Sequence, residues 1–289
     1  MRRFCDINPI VVFIYFIIVS CFPVFIENGV LYLISFFCAL AYFTFKNGKK
    51  EIQTHIFCLL AFLILSTINP IVSHNGKTVL FVVNNSPITL EAVIYGVYSA
   101  FLVVSVFYWF KIFSQIMSVD KILFIFDRFS HKLALIISMG LRYIPLLKLQ
   151  IKKINQGLII LGEYKNDNFF NRFRLGIKTF SMVVTWILEN GIISAESMDS
   201  RGYGVSKRTS FCNYKILFSD FVFLILSLLL LFLSIILLQN VNFQFYPEFK
   251  IQTTEISFWG YFLYFILAIL PILIDLKEKL KWKYLERKI

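Results

Sequence analysis

The feature that most constrains this chain is a series of apolar runs, each long enough to cross a lipid bilayer. A membrane-spanning helix needs about 20 consecutive apolar residues. Such stretches cover residues 9–26, 29–45, 56–72, 88–112, 216–239 and 257–275. A content of 58% hydrophobic residues, with 34 Phe among 289 residues, fits these spans and not a soluble domain. We therefore predict an all-α polytopic membrane protein with about six transmembrane helices.

The basic residues lie almost entirely in segments that would share one side of the membrane. If the N-terminus is cytoplasmic, 27 of the 29 Lys and Arg residues fall inside, and only Lys77 and Lys250 lie outside. The 16 that lie within residues 111–215 count for less, because the positive-inside rule is most reliable for short loops. The other 11 still outnumber the two outside. We predict that both termini are cytoplasmic. Because the basic residues lie beside apolar spans, we do not expect a nucleic-acid partner.

A long basic segment divides the chain into three regions. These are residues 1–112 with the first four spans, 113–215 with a cytoplasmic two-helix region, and 216–289 with two spans and a basic tail. A membrane protein that keeps so large a charged segment on one side usually presents it to a partner. The question of function therefore becomes the question of what binds there.

Apolar periodicity predicts two long helices inside this basic segment. In residues 145–162 the apolar side chains recur at positions 147, 151, 154, 158 and 161, which form one helix face. The polar stretch 163–171 breaks this helix, and residues 172–200 form the second, with Gly202 and Gly204 as stop signals. Each helix leaves an apolar side that the membrane, the other helix or a partner protein can cover.

Known catalytic and metal-binding patterns are missing from the sequence. The three histidines share no helix face or metal spacing, and the five cysteines form no CxxC pair. Gly76-Lys77-Thr78 resembles the end of a phosphate-binding loop, but Ile71 stands where that loop needs glycine. We predict no catalytic residue, no metal site and no cofactor.

Two features of the outer side give more local predictions. Residues 73–87 are typical of a single short strand flanked by turns, with turn signals at Asn75-Gly76 and at residues 84–87. Glu91 follows near the start of a span. An acid inside the membrane can mark a transport path, but this one is close enough to the interface for us to interpret it as hydrated.

The sharper signal is the small-Arg-Gly sequence at Ser200-Arg201-Gly202, where the second cytoplasmic helix ends. Arginine offers a planar fork of donors for carboxylates, and glycine lets another backbone approach closely. Such a tip suits insertion into an acidic groove of a partner. The alternative is that Arg201 is only a favourable cation at a helix C-terminus, and the residues alone leave both interpretations open.

Three stretches resemble the transmembrane T component of energy-coupling factor (ECF) transporters, the CbiQ-like family of prokaryotic vitamin and metal importers. Residues 197–204 are similar to the family's second Ala-Arg-Gly signature, with Ser200 in place of Ala. Residues 140–147 resemble the segment that leads into the first coupling helix, and residues 69–91 resemble an outer loop of one branch. With Asn8-Pro9 at the first span, the likeness covers nearly the whole chain.

One position departs from the family pattern. The family usually carries an earlier Ala-Arg-Gly at the end of the first coupling helix, about forty residues before the second. Here Leu161 stands where the arginine is expected and Gly162 is retained. The resemblance assigns ATPase coupling to Ser200, Arg201 and Gly202, and to Leu161 and Gly162 at the altered end. This unevenness favours two different ATPases over two copies of one.

The resemblance also implies partners and a mechanism. It implies two cytoplasmic ABC-type ATPase subunits and a small substrate-binding membrane (S) subunit, held in the bilayer of a bacterial cell membrane. The coupling helices would transmit ATPase motion to the S subunit for vitamin or cobalt uptake, and the chain itself would perform no chemistry. The alternatives are a polytopic membrane enzyme, such as a lipid or glycosyl transferase, and a secondary transporter. The enzyme needs a recognisable acid pair and the secondary transporter an inverted repeat, and the sequence shows neither.

Overall fold

The computed structural model describes most of the chain in two compact units. The described residues are 4–73, 76–83, 86–163, 169–205, 214, 217–239, 241–245, 250–252 and 255–286. One unit, here called the membrane unit, comprises Met1–Lys121 with Tyr214–Ile289. The other, here called the hairpin unit, comprises Ile122–Asn213.

Helices make up nearly all of both units, which confirms the all-α prediction. The described residues form α1 (Pro9–Phe25), α2 (Gly29–Asn47), α3 (Ile52–Val72), α4 (Leu90–Ile116), α5 (Val119–Phe129), α6 (His131–Ile160), α7 (Phe169–Ser200), α8 (Phe218–Leu238) and α9 (Glu255–Glu286). Short polar side chains fix where several of them begin. The side chains of Asn8, Asn28 and Thr89 accept hydrogen bonds from the first-turn amides of α1, α2 and α4. These caps satisfy amides that have no partner within the helix.

Within the described residues, six helices are long and apolar enough to cross a membrane, but they are not quite the predicted six. They are α2, α3, α4, α6, α8 and residues Ser257–Glu286 of α9. The predicted first span, α1, has 17 residues and is slightly too short to be one of the six. Helix α6, which we did not predict as a span, is long and apolar enough. Length and composition cannot distinguish a long amphipathic helix from a span, so packing has to decide.

Packing places α1 in the membrane unit. Tyr15 and Phe16 of α1 are buried in one core with Trp109 of α4, Phe223 of α8 and Leu267 of α9. A 17-residue helix lies at the short end of the lengths that can span a bilayer. Helix α6, in contrast, belongs to the hairpin unit. Only 6% of its most apolar 18-residue stretch is buried.

Two buried polar side chains inside the membrane unit are satisfied by other helices. The indole N–H of Trp109 donates to the Ser35 hydroxyl at 3.1 Å, and the Tyr15 hydroxyl donates to the Leu267 carbonyl at 2.9 Å. Because hydrocarbon offers no hydrogen bonds, such pairs are what a membrane-embedded core requires.

Asp275 joins three segments at one end of the bundle. Its carboxylate accepts from the Phe4 amide at 2.9 Å and from the Tyr42 hydroxyl at 3.1 Å. At this end the Lys121 ammonium also donates to the carbonyls of Ile116 and Cys5. The N-terminal segment and the ends of α2 and α4 are therefore tied together next to α9, on the side from which α5 departs.

Residues 73–91 contain more strand than predicted. In place of a single strand, β1 (Val79–Val83) pairs antiparallel with β2 (Ser86–Thr89), with Val79 opposite Thr89 and Val83 opposite Ser86. Asn75, Asn84 and Asn85 of the predicted turns lie outside the described residues. A second antiparallel pair, β3 (Asn242–Gln244) and β4 (Lys250–Gln252), lies between α8 and α9 and was not predicted.

Candidate functional site

The hairpin unit is built on the antiparallel packing of α6 and α7. The Tyr143 hydroxyl lies 2.8 Å from the Ser194 hydroxyl, and the Thr179 hydroxyl donates to the Asn155 side chain at 3.2 Å. Because residues late in α6 meet residues early in α7, the two helices run in opposite directions. Their C-terminal ends therefore lie at opposite ends of the hairpin.

An ion pair joins the end of α6 to the beginning of α7. The Lys178 ammonium lies 2.6 Å from the Glu163 carboxylate, with both side chains partly exposed. The hydrogen bond and the positive charge of Lys178 lower the pKa of Glu163 from its ordinary value. Sequence reasoning missed this pair, and also the Tyr143 and Asn155 contacts, because each partner lies on the other helix.

Helix α6 ends at a glycine cap immediately after Leu161. Gly162 takes a positive φ of 76°, its amide donates to the Ile159 carbonyl at 3.0 Å, and the Glu163 amide donates to the Leu158 carbonyl at 3.2 Å. These two bonds constitute a Schellman motif, in which glycine occupies the left-handed position. The backbone therefore turns sharply away from the helix at this point.

Helix α7 ends in the same way immediately after Arg201. Gly202 has a φ of 77°, its amide donates to the Asp199 carbonyl at 2.9 Å, and the Tyr203 amide donates to the Met198 carbonyl at 3.1 Å. The predicted end of this helix near residue 200 agrees with the structure, and its start lies three residues earlier than predicted, at Phe169.

The two helix ends are therefore equivalent in backbone and different in side chain. Leu161 and Arg201 occupy the same position, directly before the left-handed glycine of each motif. That Leu161 stands in place of a family arginine stays a prediction. We call these positions the leucine end and the arginine end of the hairpin.

Both ends project their side chains into solvent. Ile160 and Leu161 are 84% and 75% exposed, and Ser200 and Arg201 are also exposed. The Ser200 hydroxyl donates back to the Glu196 carbonyl at 2.7 Å, so it is occupied by its own helix. Arg201 makes no ion pair with any described residue. Its guanidinium is therefore available to a carboxylate outside this part of the chain.

The two ends are far apart. The pairing of Asn155 with Thr179 places the leucine end level with the first turns of α7. Roughly 25 residues of α7 then separate that level from Arg201, or about 35–40 Å at 1.5 Å per residue. A single small groove cannot hold both ends.

The β1–β2 hairpin is organised around Glu91, and this corrects our interpretation of that residue. Glu91 is only 4% exposed, and its carboxylate accepts from the Thr78 hydroxyl at 2.9 Å and from the Thr78 amide at 3.3 Å. A Cβ on Gly76 would approach it to 2.6 Å. Glu91 therefore anchors the β hairpin on the first turn of α4 and is not simply hydrated.

Asn69 and Pro70, near the end of α3, fix this helix against α4. The side-chain amide of Asn69 donates to the Ser99 hydroxyl at 2.7 Å, and a Cβ on Gly96 would lie 2.9 Å from the Ser66 carbonyl. These residues thus allow a close approach of two helices. They play a packing part that the sequence alone did not show.

The titratable residues of the described ranges form no metal centre. No group of three or more His, Cys, Asp or Glu converges there. His55 contacts the Tyr108 hydroxyl at 3.0 Å and His131 contacts Asp127 at 2.9 Å, while His74 and Cys212 lie outside the described residues. The two histidines that are described are accounted for by these neighbours.

The fold and the apolar helices define a multi-pass membrane protein, and comparison with known families adds the class of transport proteins. The model of the CbiQ family of cobalt transport proteins matches residues 5–211, which is well over half of the chain. The chain belongs to this cobalt transport protein family. No curated protein is similar enough to the sequence to be matched.

Proposed function

We propose that this chain is the transmembrane coupling (T) subunit of an ECF-type importer. The observation that carries the proposal is the pair of equivalent glycine-capped helix ends, which expose Leu161 and Arg201 on one helical hairpin. A rigid hairpin that presents two turned-back ends suits docking into grooves of partner proteins. Membership of the cobalt transport family supports a role within a transporter.

The partners that we propose are two cytoplasmic ABC-type ATPase subunits, one at each end of the hairpin. A separation of about 35–40 Å between the ends requires either two proteins or two distant sites. The arginine end suits an acidic groove, because a guanidinium binds carboxylates in a planar, bidentate manner. The leucine end suits an apolar groove, so the two ATPases would differ where they bind.

The proposed location of the hairpin is the cytoplasm, as is that of both chain termini. This orientation places 27 of the 29 Lys and Arg residues inside, in accord with the positive-inside rule. The structure supports a common side for the N-terminus and the start of α5, since Phe4, Lys121 and Asp275 meet at one end of the bundle. The membrane itself would be the plasma membrane of a bacterial cell.

The chain would act by transmitting motion and not by catalysis. When the ATPases close on ATP, the two ends move with their grooves, and the hairpin passes the displacement to the membrane unit. A separate small S subunit would then reorient and release a vitamin or a metal such as cobalt inside. Such coupling requires that the ATPases bind one conformation of the hairpin more tightly than the other.

The experiment that tests this function is Arg201→Ala in the assembled complex, with substrate uptake and co-purification of ATPases as readouts. Removing one partner of a desolvated charge pair typically costs about 2–5 kcal/mol, so we expect weaker ATPase binding and reduced uptake. Arg128→Ala, at an exposed arginine of α5, is the matched control and should change neither. Unchanged binding and uptake in Arg201→Ala, or turnover of a substrate by the purified chain alone, would contradict the proposal.

A further inference from the structure

The first half of α7 carries a concentration of exposed apolar side chains, four of them phenylalanine. Each of these side chains is more than half exposed, and they are Phe169, Phe170, Phe173, Ile177 and Phe180. Solvent-exposed phenylalanines at this density are unfavourable in water. Contiguous apolar patches of this kind mark surfaces that meet a membrane or another molecule.

These side chains form one stripe that faces away from α6. At 3.6 residues per turn, all five fall within an arc of about 100° on the helix. The side that packs on α6 is different, since it contains the buried residues Leu175 and Val183 and the hydrogen-bonded Thr179. The stripe is therefore left uncovered by the hairpin itself.

The charged residues in this half of α7 are all basic, because residues 169–188 contain no Asp or Glu. On the helical projection Arg174 lies beyond one edge of the stripe by about 40°, whereas Arg172 falls among the residues that pack on α6. A long arginine side chain at the border of an apolar stripe can reach a charged surface while the stripe is inserted below it.

The second half of the same helix has the opposite character. Leu188, Ile192 and Ile193 are also more than half exposed, but here the charged residues up to residue 200 are Glu189, Glu196 and Asp199. An anionic surface would attract the first half and repel the second. The change of charge therefore indicates what kind of surface covers the aromatic stripe.

We propose that the first half of α7 is an interfacial membrane helix, which inserts its aromatic stripe among the lipids of an anionic leaflet. Phenylalanine on one face, Arg174 at its border and no acid within residues 169–188 fit the boundary between acyl chains and headgroups. Anionic headgroups attract basic residues near the membrane surface. The proposal does not depend on the ATPase contacts, and it concerns a lipid surface that the helix contacts beside its protein partners.

The test uses the full-length chain in lipid nanodiscs, with an environment-sensitive fluorophore on a single cysteine. The five native cysteines are replaced by serine, and the label is placed at Phe173→Cys, at Ile177→Cys or at Thr185→Cys. Thr185 is an exposed residue of the same helix outside the stripe, so it serves as the matched control. Phospholipids with a nitroxide on the acyl chain quench only a label that touches lipid.

The expected result is severalfold stronger lipid quenching at positions 173 and 177 than at 185, in nanodiscs that contain phosphatidylglycerol. Arg174→Gln should reduce the quenching at 177. The matching change Lys153→Gln, at an exposed lysine of α6, should leave it unaltered.

Two outcomes would overturn the proposal. The first is a blue-shifted label at 177 that the lipid nitroxide does not quench, because a protein surface then covers the stripe. The second is a label quenched only by a water-soluble agent, which would show that the stripe remains in solvent. Neither outcome bears on Arg201, so the proposed coupling function would be tested separately.

Discussion

The leucine end and the arginine end of the hairpin share a backbone and differ in chemistry. In both, the last helical turn is closed by a glycine with a positive φ, which is 76° for Gly162 and 77° for Gly202. The residue before that glycine is Leu161 in one and Arg201 in the other. The glycine determines how the chain leaves the helix, whereas the preceding side chain determines what the end can bind.

This comparison separates shape from recognition. Because the turn requires only a residue that tolerates a left-handed conformation, the shape survives replacement of the arginine by leucine. The hydrogen-bonding capacity does not survive it, since leucine offers no hydrogen-bond donor. We therefore expect the two ends to bind by different forces, one mainly electrostatic and the other mainly hydrophobic.

The largest effect should come from changing both ends at once. Arg201→Glu reverses the charge at a contact worth about 2–5 kcal/mol, and Leu161→Asp removes a side chain whose burial contributes about 1.5–3 kcal/mol. We expect each single variant to retain one ATPase per chain and the double variant to retain none, as measured by native mass spectrometry of the complex. If the double variant still carries two ATPases, the ends are not the docking sites.

The next effect is a difference in salt dependence. An exposed or partly exposed charge contact weakens as ionic strength rises, because the Debye length falls from about 10 Å at 0.1 M to about 3 Å at 1 M salt. ATPase binding by the Leu161→Asp variant, which depends on the arginine end, should therefore decline with salt. Binding by the Arg201→Glu variant, which depends on the leucine end, should change little in the same titration, and equal slopes would contradict the distinction.

A smaller effect is expected at the glycine cap. Gly202→Ala places a Cβ in a left-handed conformation at a cost of roughly 1–2 kcal/mol, which should loosen the end of α7 and weaken ATPase binding by about tenfold. Asparagine tolerates this conformation better, so Gly202→Asn is the matched control and should bind more tightly than Gly202→Ala. Equal binding by the two variants would show that the turned-back backbone is unimportant.

The smallest effect concerns the Glu163–Lys178 pair. Since Lys178 lowers the pKa of Glu163 in the folded chain, the pair stabilises the hairpin above the unfolded pKa of the carboxyl group. That contribution disappears as pH falls through the lowered folded pKa. Glu163→Gln should therefore abolish a slight loss of thermal stability on acidification, measured as the melting temperature in detergent at neutral and acidic pH. An unchanged acid response in the variant would exclude the pair as its source.

Most of the fold was predictable because a long apolar run in a membrane can form few structures other than a spanning helix. The starts of α1, α2 and α4 agree with the predicted spans to within two residues, and each has an Asn or Thr cap next to it. Helix α6 was harder, because its two halves differ in pattern and Pro145 lies within it, and the predicted helix over residues 145–162 covers only its second half.

The parts that were missed depend on contacts between distant residues. The β1–β2 hairpin was predicted as one strand, because we interpreted Pro87 and Thr89 as the start of a membrane span and not as part of a second strand. The burial of Glu91 follows from Thr78 folding back on α4, which no local pattern reveals. At the hairpin ends, sequence indicated the glycines and the arginine, but only the hydrogen bonds show that Leu161 and Arg201 occupy equivalent positions. Their role in ATPase coupling remains a prediction.

The most direct test of the central claim is photo-crosslinking from a position beside Arg201 in the assembled transporter. A benzophenone amino acid at Tyr203, an aromatic residue that is 49% exposed, replaces one ring by another and leaves the arginine intact. We predict a covalent adduct with an ATPase subunit that is lost in Arg201→Glu and does not form from the exposed Tyr284. An adduct that persists in Arg201→Glu, or the absence of any ATPase adduct from position 203, would contradict the account.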